Sequence, residues 1–272
     1  MGGTVAVTYA SSLIALNHTW YKNYPKSSFH TFDDSGEWLQ MDKVGHGWSV
    51  YNLSRASTSA WKWAGLSQKQ SVLIGSLTGF SYLTVIEILD AHSEKWGWSW
   101  ADMAANIGGS SLFALQELGW KEQRIQFKFS AHRKKYESGL NTRADELFGE
   151  SLPERILKDY NGQTLWFSFN LKSFLKKSNL PSWLNLSIGY GANGMFGGYE
   201  NIAYDKNGNI SFNRQDIKRY RQWYLAPDID LTKINTKSKL LRTVLAGLNA
   251  IKIPAPSLEL SNGKLKGHWL SF

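Results

Sequence analysis

The hydrophobic period of this chain changes once, at Arg124, and that change limits the possible folds more than any other feature. Before it, three apolar stretches carry polar residues at helical spacing. The first opens at Glu37-Trp38-Leu39-Gln40-Met41-Asp42-Lys43, the second runs from Ser71 to Asp90, and the third from Ser99 to Leu118. After it, apolar and polar residues alternate. Ile125, Phe127 and Phe129 alternate with Gln126, Lys128 and Ser130, and Leu165, Phe167 and Phe169 with Trp166, Ser168 and Asn170. Leu184, Leu186 and Ile188 alternate with Asn185, Ser187 and Gly189, and Trp223 and Leu225 with Tyr224 and Ala226. A last candidate spans 258–260 with 265–272. Apolar residues three and four apart make a helix face, whereas strict alternation makes a half-exposed strand. The expected class is α+β: a helical bundle over 1–123, packed with a mostly antiparallel, open β-sheet over 124–272.

Charge divides at the same place. Residues 1–123 hold 8 Lys and Arg against 10 Asp and Glu, and residues 124–272 hold 23 against 12. The first half is therefore close to neutral and the second carries nearly all of the +9 net charge. A basic half can face phosphates or an acidic protein. Nucleic acid is not expected as a partner, because the chain has no zinc finger, Gly-rich RNA-binding motif or recognition helix. The chain has no cysteine, which removes disulfides, cysteine zinc sites, a thiol nucleophile and an acylated lipoprotein cysteine.

Within the helical half, Gly75 and Gly79, Ala104 and Gly108, and Ala105 and Gly109 stand four apart. Such spacing puts small residues on one face and lets helix backbones approach closely. Residues 71–86 and 103–116 lack charge but are short for crossing lipid, so mutual burial is expected. Ser99 with Asp102 has the spacing of a capping box. The uncharged residues 1–21 read as a packed or interfacial apolar helix. In the basic half, Asp205-Lys206-Asn207-Gly208 and Ser261-Asn262-Gly263 read as hairpin turns. Residues 153–160 read as a short helix, and Leu240, Leu241, Val244, Leu245 and Leu248 mark a basic amphipathic one. The Gly-rich run 190–199 reads as a mobile or bulged strand end or a contact loop. Five or six strands are too few to close a transmembrane barrel, which takes roughly eight. The apolar face of the sheet therefore needs another cover.

Taken together, several motifs carry a family resemblance. They are Met41-Asp42-Lys43-Val44-Gly45-His46, Glu87-Ile88-Leu89-Asp90, Trp96-Gly97-Trp98-Ser99-Trp100-Ala101-Asp102 and Ala105-Asn106-Ile107-Gly108. The set resembles the YfiM-like family of predicted periplasmic lipoproteins of unknown function. Residues 119–124 and 157–164 look like its Bacteroidetes branch. The order of the acidic, His and Asn positions is also similar to VanZ-like envelope proteins. The resemblance implies the bacterial envelope, at the periplasmic side of the outer membrane, and no established reaction. The absent cysteine departs from the lipoprotein pattern.

The residues able to carry chemistry are Asp42, His46, Glu87, Asp90, Asp102 and Asn106. Asp42 and His46 share a helix face, and a carboxylate that orients an imidazole is an acid–base pair. Glu87 and Asp90 can raise one another's pKa. The same six residues also suit a buried hydrogen-bond network that fixes helix register, and that is the expectation adopted. No residue is assigned a catalytic role and no metal or cofactor is expected, since hydrolase, zincin and phosphate-loop motifs are missing. A second group, Lys218, Arg219, Arg221, Lys237, Lys239 and Arg242, is expected to bind an anionic membrane surface or an acidic partner. The expected role is an accessory or plug-like subunit of a larger outer-membrane complex, such as a β-barrel translocon. The alternative is an envelope enzyme or metal-binding protein that uses Asp42, His46, Glu87 and Asp90.

Overall fold

The computed structural model describes residues 3, 9–14 and 25–271. Two compact units emerge: Met1–Ser35 with Lys43–Gln123, and Gly36–Asp42 with Arg124–Phe272. Of the uncharged N-terminal segment, residues 3 and 9–14 are helical. The rest of it, and the terminal Phe272, lie outside the described residues.

The first unit is built on α1 (Met41–Trp63), α2 (Gln68–Asp90) and α3 (Trp100–Gly119). Ser67 caps α2 in a reciprocal box with Gln70. The small residues set the helix spacing. A Cβ on Gly75 would stand 2.6 Å from the Thr58 backbone N, and one on Gly109 would stand 2.2 Å from the Gly47 carbonyl O. Helix α1 thus lies against both of the others at near-backbone distance. Gly79 belongs to the same contact, facing Ser54, whereas Gly108 meets nothing within 4 Å. The expected Ala104–Gly108 stripe is therefore solvent-facing, as Ala104 is also exposed.

Close packing of small residues leaves little room for large ones, and this decides what is buried. Helix α2 buries Ser71, Val72, Gly75, Ser76, Gly79, Leu83 and Glu87. Its Leu73, Ile74, Leu77, Val85 and Ile88 are exposed. Mutual burial thus holds for the face that carries the small and polar residues, with Val72 and Leu83. The larger apolar contacts sit between α1 and α3, where Tyr51 meets Phe113 edge-on at 5.9 Å.

The second unit starts with a surprise for the helical reading of Glu37–Gln40. Trp38, Leu39 and Gln40 have φ of 49, 51 and 65°, so the right-handed α1 begins only at Met41. A left-handed non-glycine residue costs about 1–2 kcal/mol. Contacts within the unit offset that cost. Trp38 N donates to Gly198 O at 2.8 Å, Arg221 donates to Gln40 Oε1 at 2.6 Å, and Tyr190 Oη donates to Leu39 O. The Trp38 ring packs on Phe148 and Tyr160.

Six strands form one antiparallel sheet, in the order β1 (Ile125–Ala131), β2 (Gln163–Asn170), β3 (Leu184–Asn193), β6 (Tyr220–Ile229), β7 (Ala255–Ser261), β8 (Lys264–Ser271). Strands β4 (Ile202–Tyr204) and β5 (Ile210–Asn213) make a separate hairpin. Both expected hairpin turns are present. In the second, Asn262 and Gly263 adopt φ of 49 and 72°, which suits the twist of the paired β7 and β8. The free edge of β1 is met by residues 250–252, through Phe129 N to Ala250 O and Lys252 N to Phe129 O. Helices α4 (Ser138–Phe148) and α5 (Leu152–Lys158) lie in the β1–β2 connection. Leu140, Ala144 and Phe148, one turn apart on α4, pack with Phe196. Phe196 comes from the Gly-rich run, whose residues 190–193 form the end of β3. Met195 and Phe196 are buried there, and Asn161 and Asn201 accept from their backbone N–H groups at 2.8 Å each.

The sheet buries its polar face. Gln126, Lys128, Ser168, Asn185, Ser187, Asp228 and Glu259 point inward, and Phe167, Leu186, Ile188, Trp223, Leu225 and Leu258 are exposed.

Candidate functional site

The first unit's buried polar cluster forms because α1, α2 and α3 each contribute from the face that their small residues bring close. Lys43 is the centre. Its Nζ lies 2.5 Å from Asp34 Oδ2 and 2.8 Å from Asp102 Oδ2, with all three side chains nearly sealed from solvent. Ser99 Oγ donates to Asp34 Oδ1 at 2.5 Å and accepts from Asp102 N at 3.0 Å. Ser99 is therefore the N-cap of α3, but the expected reciprocal half of the box is absent. The Asp102 carboxylate goes to Lys43, and the Ser99 N–H donates instead to Glu87 Oε2 at 3.3 Å.

His46 lies one turn beyond Lys43. Its Nδ1 is 3.3 Å from Asn106 Oδ1 and 3.5 Å from Glu87 Oε1, and its Nε2 is 3.9 Å from Asp102 Oδ1. Glu87 is 1% exposed. Burial pushes its pKa up to about 8, and the neighbouring carboxylates Asp102 and Asp90 add to the rise. His46 and the Ser99 N–H act the other way. At neutral pH Glu87 is thus largely a neutral acid. Glu87 Oε1 and Asn106 Nδ2 are buried without a hydrogen-bond partner.

Of the six expected residues, His46, Glu87, Asp102 and Asn106 meet here, and Asp42, one turn before His46 on α1, places a carboxylate oxygen within 4.8 Å of ligand atoms of His46 and Asp102. Asp90 stands half-buried at the C-terminal end of α2. Asp42 is grouped with the second unit, where its Oδ1 accepts from Tyr160 Oη at 2.8 Å. Two members escaped the sequence reading, Asp34 and Lys43, together with the Ser99 Oγ donation to Asp34. One signal was available for Lys43, since it is three residues before His46 and so shares its helix face. Asp34 carried no signal, because a loop residue has no periodicity.

The second unit holds another buried charge pair. Lys128 Nζ lies 2.8 Å from Asp228 Oδ2, both side chains have no exposed surface, and Lys128 also donates to Ile229 O at 2.7 Å. Ser168 Oγ donates to Asp228 Oδ2 at 2.6 Å, and Asn185 and Asn170 extend the chain of bonds. On the exposed side of the sheet, Leu186, Leu225, Pro227, Pro256, Leu258 and Trp269 line an open apolar groove of about 560 Å3.

The basic group expected to act together is divided by the strand register. Tyr220 pairs with Asn193 at one end of the β3–β6 ladder and Ile229 with Leu184 at the other. Lys218, Arg219 and Arg221 lie at the first end. Arg219 is half-buried and donates to Gly198 O, and Arg221 donates to Tyr190 Oη and Gln40. Lys237, Lys239 and Arg242 follow from the opposite end and are exposed.

With this geometry in hand, known proteins give one point of comparison. Residues 31–117, which contain the whole polar cluster of the first unit, match a family described as predicted periplasmic lipoprotein. The match supports the bacterial envelope as the location. No curated protein and no solved structure matches the chain.

Proposed function

We propose that this chain is a non-enzymatic protein at the periplasmic side of the outer membrane, an accessory or plug-like subunit of a larger outer-membrane complex such as a protein-secretion translocon. The observation that carries the reading is the outward apolar face of the sheet, with its groove of about 560 Å3. Contiguous exposed apolar surface of this kind marks an interaction site. The polar cluster agrees with a structural role, because Lys43 is held between two carboxylates and Ser99 caps α3 beneath them. Affinity purification from native membranes with mass spectrometry tests the proposal. A β-barrel protein is expected to co-purify in fixed ratio, and to be lost on Leu225→Asp with Leu258→Asp. Recovery of the chain alone, or equal recovery of the barrel with that variant, would sink it.

A second reading keeps an envelope enzyme or metal-binding protein in play, using Asp42, His46, Glu87 and Asp90. The partnerless Glu87 Oε1 and Asn106 Nδ2 favour it, since native proteins rarely leave buried polar atoms unmatched without a reason. Isothermal calorimetry with divalent cations separates the two. Binding by the wild type that His46→Ala abolishes supports the second reading, and no binding removes its metal form.

A further inference from the structure

One end of the C-terminal sheet has a composition unlike the rest of the surface. There β2 ends and β3 begins, β6 ends, β7 begins and β8 ends. The chain segments at that end are 171–183 and 231–256. Between them they hold eight Lys and Arg and no Asp or Glu. Lys176, Lys177, Lys237, Lys239 and Arg242 are exposed. Exposed apolar side chains stand among them: Phe174, Leu175, Trp183 and Ile234, with Trp269 from β8 88% exposed.

The short α6 (Leu171–Phe174) and the longer α7 (Lys239–Leu248) belong to this end. The C-cap of α7, Asn249, accepts from Leu231 N at 2.8 Å and donates to Gln126 Oε1 at 2.9 Å, so the helix is tied to the start of β1 and the residues after β6. None of its residues is buried. Leu240, Leu241, Val244 and Leu248 are exposed, Leu240 by 76%. A ten-residue helix that buries nothing is too short to be stable in water on its own account. An amphipathic helix with Lys and Arg flanking a leucine face is the form that lies in a bilayer interface. Tryptophan prefers the same depth.

We propose that this end of the sheet, with α7, is a membrane-docking surface that inserts into the interface of an anionic bilayer. The leucine face of α7, Trp183 and Trp269 would enter among the headgroups, and the lysines would meet lipid phosphates. Charge complementarity selects this occupant. An acid-free stretch with five exposed cations matches a continuous anionic plane, whereas the apolar sheet face beside it carries no such charge. The inference rests on the envelope location but not on a partner complex.

Vesicle flotation with the purified full chain tests it. Wild type is expected to float with vesicles of phosphatidylglycerol and phosphatidylcholine, more weakly with phosphatidylcholine alone, and less as salt rises. Reversing Lys237, Lys239 and Arg242 to Glu should weaken binding on the order of a hundred-fold. Leu240→Ser with Leu241→Ser should weaken it at every salt concentration. Lys218→Glu, at the other end of the sheet, should bind as wild type. These residues are exposed, so circular dichroism should show all variants folded. Wild type that does not float, or a triple variant that floats equally, overturns the inference. If such a protein still co-purifies with a barrel from native membranes, the function proposed above survives alone.

Discussion

Both units place an ion pair at their centre, but they seal it differently. In the sheet unit, Lys128 and Asp228 are wholly buried, and Ser168 and the Ile229 carbonyl O take up further valences. In the helical unit, Lys43 faces two carboxylates, and a third, Glu87, lies deeper and nearly neutral. The first sets one lysine against one carboxylate. The second is an excess of acid around one lysine, and the proton that burial holds on Glu87 relieves it. Sheets and helices reach these states by different routes. The sheet sets its pair through register, with Lys128 and Asp228 on strands separated by β2 and β3. The helices set theirs through glycine contacts that bring α1 close to both α2 and α3.

The contrast can be broken most severely at the sheet unit's pair. Lys128→Met leaves Asp228 buried beside one cation fewer and should cost about 3–5 kcal/mol. Lys128→Met with Asp228→Leu should restore much of that, since a buried pair gains little over apolar residues of similar volume. Urea titration of both variants checks the point, and a double variant as weak as the single would show that the pair itself stabilises the sheet.

A smaller effect is expected where the helices touch. Gly75→Ala places a methyl group against the Thr58 backbone, so α1 and α2 must part. Overpacking of this kind costs about 1–3 kcal/mol. A thermal melt should show the loss, and unchanged melting would mean that the helices have slack that the close distances deny.

Taken over a single pH unit, the smallest effect separates the two centres by pH. Glu87 in the folded chain titrates near 8, against 4.5 for an ordinary glutamate. A folded pKa above the unfolded one gives stability that is complete below about 4.5 and is lost as pH rises through about 8. The slope for one proton is at most about 1.4 kcal/mol per pH unit. Glu87→Gln should flatten the stability curve across that window and leave the sheet unit's curve as it was. An identical pH dependence in wild type and variant would remove Glu87 as the titrating group.

Much of the architecture was legible in single residues. The change of period at Arg124 located the sheet, Asn262-Gly263 its last hairpin, and Gly75 and Gly79 the helix contact. The cluster was legible in part. His46, Glu87, Asp102 and Asn106 lie on helices, where spacing reveals a common face. Lys43 was passed over because a lysine usually snorkels to solvent, and Asp34 because it comes from a loop.

The sequence by itself determined that each strand has an apolar and a polar face, that the helices have a small-residue face, and that the second half is basic. Only the tertiary structure decided which face turns inward. Alternation is symmetric: it says that two faces differ, and burial goes to whichever meets a covering layer. Here Asn249 and Lys252 come from far along the chain to cover polar positions, with Lys252 over the Trp166 ring at 4.5 Å. The leucines, left without a cover, face outward. The same physics divided the basic residues. Lys218 and Lys239 are close in sequence, but the strand β6 between them runs about 3.3 Å per residue and carries them to opposite ends of the sheet.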